Sequence, residues 1–155
     1  MGNIFSTQTI QNLIKKVKHQ NVVFTNGCFD LLHPGHIDYL TKAKALGDVL
    51  VVGLNSDASV KQIKGDLRPI NNQFFRSQML LGLKPVDYVV IFDDSTPIEL
   101  IKAIKPAIHV KGGDYIAGQL PEFDVVKANG GEVKIVPFLD GYSSTHIINK
   151  IKSLT

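Results

Sequence analysis

Thr25-Asn26-Gly27-Cys28-Phe29-Asp30-Leu31-Leu32-His33-Pro34-Gly35-His36 decides how this chain folds and what kind of ligand it faces. Before it, Asn21 to Thr25 is a short run rich in β-branched residues and reads as a strand. After it, Pro34 stands where a first helical residue belongs, and Ile37, Leu40 and Ala43 share one face on the way to Gly47. The stretch is therefore a strand-to-helix junction. Asn26-Gly27 makes a turn that exposes backbone N–H groups to an anion, and Gly35 lets a ligand approach the main chain. The helix start adds unpaired N–H groups and the positive end of a dipole, both suited to phosphate. His33 and His36 place two side-chain donors beside it.

The histidine pair supports three readings. The two side chains cap the helix, or they ligate a metal, or they hold phosphate charge at the helix N-terminus. Zinc asks for three or four protein ligands, and no third partner stands at the right spacing. The twelve-residue context between strand and helix favours phosphate over a plain cap.

The same alternation continues outward. Ile10, Leu13, Ile14 and Val17 make an amphipathic helix before the first strand. Val49 to Val52 is a continuous apolar run, as in a strand buried on both faces. Asp57 to Lys64 reads as a short helix, Gly65 to Asn72 as a polar loop and Gln73 to Leu83 as a helix. Val86 to Phe92 is the third strand. Thr96-Pro97-Ile98-Glu99 combines a capping box with proline at N1, starting a helix that ends before Pro106. Ala107 to Val110 is the fourth strand, followed by the glycine-rich Lys111-Gly112-Gly113-Asp114-Tyr115. A helix from about Gln119 stops at Gly130-Gly131, and Val133 to Val136 is the fifth strand. Ser144 or Thr145 caps a last helix with Ile147, Ile148, Ile151 and Leu154 on its apolar face. Strands alternating with helices predict a single Rossmann-like, doubly wound α/β domain over residues 1–155, with a five-stranded, mostly parallel sheet. Ligands of such sheets bind beyond the carboxyl ends of the strands.

Composition narrows the partners. The 155 residues are 44% hydrophobic and 20% charged, which is globular, and the net charge of +3 is too small and dispersed for a nucleic-acid surface. It suits anionic small molecules. The single cysteine excludes an internal disulfide, and neither a secretory h-region nor a run of membrane-spanning length is present, so a cytoplasmic protein without a membrane partner is expected. Met1-Gly2-Asn3-Ile4-Phe5-Ser6 fits the loose myristoylation pattern, but no polybasic stretch follows to supply a second membrane signal, and the match is taken as coincidence.

His33-Pro34-Gly35-His36 matches the HxGH signature of the nucleotidyltransferase superfamily. The resemblance extends to the bacterial ADP-heptose synthases, or heptose 1-phosphate adenylyltransferases. It runs through Thr25 to His36, Leu46 to Asp48, Gly53 to Lys61, Arg68 to Asn71 and Val86 to Val90. It continues in Lys111 to Tyr115, Gly130 to Val133 and Gly141 to Thr145. The similarity is collinear and covers Asn21 to Ile151.

This resemblance implies transfer of AMP from ATP to a sugar 1-phosphate, with pyrophosphate leaving. A phosphate monoester, with its second pKa near ~6, is largely dianionic at neutral pH, so it needs no general base. The protein has to align two anions and stabilise charge on the transferring and leaving phosphates. His33 and His36 are the expected catalytic donors. Lys44, two helical turns after His36, is a third candidate, and its position also fits a solvated lysine. Nucleotide binding is expected from Thr25, Asn26, Gly27, Cys28, Phe29 and Gly35, from Lys111, Gly112 and Asp114, and from Ser143, Ser144 and Thr145. Cys28 itself has no nucleophilic role in direct phosphate attack and is read as a small packing residue. The Ser-Ser-Thr departs from the Ser-Thr-Thr usual in related enzymes but keeps a hydroxyl at its middle position. Arg76 is a candidate phosphate ligand because related sequences carry arginine there. The preceding Asn72-Gln73-Phe74-Phe75 departs from the family's polar pattern, with helix packing, a subunit contact or an altered acceptor pocket as its readings. Mg²⁺ is expected mainly on the substrate phosphates, with no dedicated protein metal site.

The resemblance further implies ADP-heptose formation for lipopolysaccharide or other surface polysaccharide. Many relatives are fused to a sugar kinase, for which this length has no room, so a separate heptose kinase is expected. A homodimer is the default assembly. Two alternatives stand beside this reading. A cytidylyltransferase for glycerol 3-phosphate or a similar alcohol phosphate looks alike around the histidines but usually has an arginine shortly before the last Ser/Thr motif, where this chain has Phe138-Leu139-Asp140. A non-catalytic nucleotide-binding regulator has less need of two intact histidines.

Overall fold

The computed structural model describes residues 2–155, so Met1 of the Met1-Gly2 pattern lies outside the described residues. Its sheet has six strands, all parallel, in the order β1-β4-β3-β2-β5-β6. The strands are β1 (Ile4–Ser6), β2 (Val22–Gly27), β3 (Val49–Asn55), β4 (Tyr88–Phe92), β5 (Ile108–Gly112) and β6 (Glu132–Val136). The helices are α1 (Ile10–Val17), α2 (Pro34–Lys44), α3 (Asp57–Lys64), α4 (Gln73–Leu81), α5 (Ile98–Ile104), α6 (Phe123–Ala128) and α7 (Ser144–Ser153).

Alternating side chains on the central strands build two cores. Phe24, Val49 and Val51 face Leu13 and Val17 of α1, Leu100 and Ile101 of α5 and Val126 of α6. Val23, Leu50, Val52 and Leu54 face Tyr39, Leu40 and Ala43 of α2 and Leu80 of α4. Every residue of β3 is buried, which explains its unbroken apolar run. The chain lays down β2, β3 and β4 in one direction and then returns to place β5 against the other side of β2. The strand order thus reverses between β2 and β5, the switch point where such sheets bind ligands.

The expected fold holds, with corrections in detail. The sixth strand is β1, whose three residues pair with Val89, Val90 and Ile91; three residues carry no readable period. The capping box at Thr96 does not form: α5 begins at Ile98, and its cap position, Pro97, makes no side-chain bond. The helix expected from Gln119 is a 3₁₀ turn at Ala117–Gln119 followed by α6, interrupted at Leu120-Pro121-Glu122. Ser143, one residue earlier than expected, caps α7 by accepting from His146 N–H at 2.9 Å. The apolar face of α7 is not sealed, because Ile147 and Ile148 are half-buried while Ile151 and Leu154 are exposed.

Candidate active site

A cleft of about 550 Å³ opens beyond the carboxyl ends of β2 and β5, the size of a small-molecule site. Asn26 to Asp30 form one wall, His33, Gly35 and His36 the floor, and Lys111 and Gly112 the opposite side. Ser143, Ser144 and Thr145 close it from the start of α7, and Lys64 and Arg68 from the end of α3 and the loop after it.

Local geometry fixes the histidines. His33 is the N-cap of α2, with φ −145° and ψ 169°, and Pro34 supplies the preset φ of the first turn. The backbone N–H of His33 donates to Nδ1 of His36 at 3.3 Å, three residues along the first turn. The rings stack with centroids 3.8 Å apart, and Phe29 covers His36 at 5.3 Å. Burial, and then the neighbouring His33, push the His36 pKa down to about 4. His36 is therefore neutral at physiological pH. Because Nδ1 accepts, its one proton sits on Nε2, making that nitrogen the donor. Burial also lowers the His33 pKa. His33 Nδ1 and Asn26 Oδ1 are buried side-chain atoms with no protein partner, and both residues line the cleft. Unmet polar atoms grouped in one cleft are what a polar ligand would satisfy.

Two backbone devices flank the histidines. Phe29 has φ 46°, a left-handed conformation that is uncommon without glycine and bends the loop after β2 around the cleft. Asp30 holds this loop to residues 68–71: its carboxylate accepts from Arg68 Nε at 2.7 Å, Ile70 N–H at 2.7 Å and Asn71 N–H at 2.9 Å. Burial alone would raise the Asp30 pKa; the two backbone N–H groups and Arg68 outweigh it and lower the value. Its oxygens are committed to the protein. On the other side, Ser144 Oγ donates to Leu31 O at 2.8 Å, joining the start of α7 to the loop before α2. Two helix N-termini, those of α2 and α7, thereby meet in one cleft.

Of the expected site residues, Asn26, Gly27, Cys28, Phe29, His33, Gly35, His36, Lys111, Gly112 and Ser143 to Thr145 line the cleft. Four do not. Thr25 is buried behind it, its hydroxyl bonded to Tyr39 Oη, which in turn donates to Val110 O at 2.9 Å. Asp114 is exposed outside it. Lys44 lies at the opposite, amino-terminal end of the strands, donating to Asp87 at 2.6 Å just before β4 and to the Asp48 carbonyl just before β3. Eight residues of helix, roughly 12 Å of rise, separate it from His36. Arg76 is fully buried beneath the loop. Its guanidinium donates to the carbonyls of Asn71, Cys28 and Asn55 and to the carboxylate of Asp57, all at 2.7–2.9 Å. It organises the site's backbone rather than presenting a free fork to phosphate. Phe74 and Phe75 are exposed on α4, and neither lines the cleft.

Sequence reasoning assigned no role to Asp30, Tyr39, Lys64 or Arg68. Asp30 and Arg68 stood within quoted motifs, but their pairing across 38 residues has no local signature. Lys64 offered nothing beyond its charge.

Residues 24–150 match a family described as cytidylyltransferase-like. The chain belongs to that family. Its class of chemistry is accordingly nucleotidyl transfer, and the cleft just described is where the family's histidine signature lies. Among similar proteins, the bifunctional protein HldE of Wolinella succinogenes is 53% identical over 151 residues, covering 96% of this chain and 31% of its own length. The protein of the same name from Campylobacter fetus is 57% identical, covering 86% of this chain and 28% of its own length. This chain spans about a third of the length of these relatives. A solved lipopolysaccharide core biosynthesis protein from Thermoplasma volcanium is 31% identical, with a TM-score of 0.62, 80% of this chain covered and 99% of the other. The pantothenate synthetase of Thermus thermophilus shares the fold at a TM-score of 0.61 and 16% identity, over 94% of this chain and 70% of its own. Among the described residues, no helix is long and apolar enough to cross a membrane, and no group of three metal-ligating side chains occurs.

Proposed function

We propose that this domain transfers AMP from ATP to D-glycero-D-manno-heptose 1-phosphate, giving ADP-heptose and pyrophosphate. The observation that carries the transfer chemistry is the neutral, Nε2-protonated His36 stacked on His33 between two helix N-termini, beside a carboxylate, Asp30, that is fully committed elsewhere. With Asp30 so committed, no carboxylate among the described lining residues is free to take a proton, and a dianionic phosphate nucleophile needs no base. A sugar phosphate oxygen attacks the α-phosphorus; the new O–P bond forms as the bond to the bridging oxygen breaks, and pyrophosphate leaves with that electron pair. His33 and His36 stabilise charge on the transferring group, and the N–H groups at Ser144 and Thr145 hold the polyphosphate. The choice of heptose and ATP is supported by the collinear resemblance and by the similarity to HldE and to a lipopolysaccharide core biosynthesis protein.

Magnesium fits this site as a companion of the substrate phosphates, since Asp30, the one carboxylate lining the cleft among the described residues, is taken by Arg68 and two N–H groups. Bound there, it would neutralise charge on the triphosphate. A sugar kinase activity would make the 1-phosphate, and a cytoplasmic homodimer is the expected working form.

Pyrophosphate release with ATP or CTP, each offered heptose 1-phosphate or glycerol 3-phosphate, tests this reading. Turnover with ATP and the heptose is expected. Turnover confined to CTP sinks it, and no turnover with any pair returns the domain to a binding role.

A further inference from the structure

The mechanism leaves unused a buried cluster directly behind the cleft. His109, in the middle of β5, is fully buried and lies over Phe24 of β2 with ring centroids 5.7 Å apart. Its Nε2 meets Glu122 Oε1 at 2.9 Å. Glu122 is the residue before α6, and its side chain is 2% exposed. The same oxygen is 3.6 Å from Lys111 Nζ, and Lys111, two residues beyond His109 on β5, lines the cleft. Lys111 also passes over the Tyr115 ring at 5.7 Å.

A buried carboxylate is costly unless its partners repay the desolvation. Here burial alone would raise the Glu122 pKa; the His109 bond, the Lys111 charge and its own backbone N–H outweigh it and lower the value. Among the described residues, only two basic side chains face this carboxylate: His109, sealed in the core, and Lys111, which reaches the ligand. The 3.6 Å separation is an ion pair without a good hydrogen bond, so the ammonium keeps its donors for something else in the cleft.

We propose that Glu122 is a positioning residue that acts through Lys111: the buried carboxylate, oriented by His109, holds the lysine ammonium at the back of the cleft where the nucleotide is bound. Glu122 touches no substrate. It aims a flexible four-carbon side chain that would otherwise sample many rotamers, and it links the ends of β5 and α6 to the nucleotide side of the site. The proposal rests on the cleft being a nucleotide site and goes beyond it by assigning this cluster a role.

A double-mutant cycle tests it, run with whichever nucleotide the unaltered protein turns over. Glu122→Gln keeps the shape and an oxygen acceptor for His109 but removes the charge. It is expected to raise the nucleotide KM about tenfold with a smaller change in kcat, as Lys111→Ala does. The double variant is expected to match Lys111→Ala alone, because the carboxylate has no effect once its lysine is gone. Thermal melts of all four proteins report folding separately. Additive effects of the two changes on KM, or an effect of Glu122→Gln that follows the loss of melting temperature, would overturn the proposal. Absence of turnover in the unaltered protein would instead overturn the nucleotidyl transfer reading.

Discussion

His33 and His36 are held as a unit: the backbone N–H of the first donates to Nδ1 of the second at 3.3 Å, and their rings stack at 3.8 Å. The bond assigns His36 its tautomer, and burial keeps it neutral. His33→Ala or His36→Ala is expected to lower kcat by about a hundredfold or more, the scale of losing one preorganised donor at a developing charge. Steady-state pyrophosphate release measures it. A loss of only severalfold in a folded variant would show that the altered histidine is not a charge-stabilising donor.

The same pair makes a prediction about acid. His36 falls from an ordinary value of 6.5 to about 4 in the folded chain, so between these pH values the unfolded chain binds more protons. This histidine's contribution to stability is present above pH 6.5 and is lost as pH falls toward 4. Urea unfolding at stepped pH is expected to show a steeper loss of stability across that window in the unaltered protein than in His36→Gln. Equal slopes would contradict the assignment of His36 as a buried neutral donor.

Gly35 sits between the histidines in sequence and against His33 in space. A Cβ there would stand 2.9 Å from Cε1 and Nδ1 of the His33 ring. Gly35→Ala is thus expected to displace the imidazole while leaving a helical residue in a helix. Displacements near 1 Å at a reacting centre cost about a hundredfold in rate. The expected outcome is a large drop in kcat with an unchanged or slightly higher melting temperature. Undiminished kcat would mean the ring position matters little.

What was legible in the sequence was local. Pro34 at N1 and the apolar run of β3 depend on neighbours in the chain and formed as expected. Of the face read behind Pro34, only Leu40 and Ala43 are buried; Ile37 is exposed and Tyr39 takes its place in the core. The site residues that needed correction are defined by distant partners. Lys44 meets Asp87 across 43 residues, and Arg76 meets Cys28 O across 48. A motif position shows that an arginine is placed near phosphate chemistry. It does not show whether the guanidinium faces the ligand or the carbonyls of the loop that binds it. Strand β1 is unreadable for a different reason: its three residues are too few to carry a period, although they pair with β4.

The two displaced cations make opposite predictions. Lys44 belongs to the amino-terminal end of the strands, away from the cleft, and its pair with Asp87 is about one-third exposed on each side. Lys44→Ala is expected to cost about 1 kcal/mol or less of stability and to leave kcat/KM within about twofold. A hundredfold loss of kcat with folding intact would restore a catalytic role.

Arg76 is the reverse case, a residue whose loss should act on the fold before the chemistry. Its guanidinium serves three backbone carbonyls and Asp57 from a fully buried position, and two of those carbonyls belong to Cys28 and Asn55, which line the cleft. Arg76→Ala leaves acceptors without partners, each costing about 1–3 kcal/mol when buried, so a total loss of about 3 kcal/mol or more is expected from urea unfolding. Arg76→Lys is expected to recover only part of it, because an ammonium cannot reproduce the planar fork that spans these four groups. Activity should fall with the melting temperature in both variants, as the wall of the cleft loosens. If instead either variant keeps its stability and only the KM for a phosphorylated substrate rises, the guanidinium binds that substrate directly in solution and the buried arrangement is not the working one.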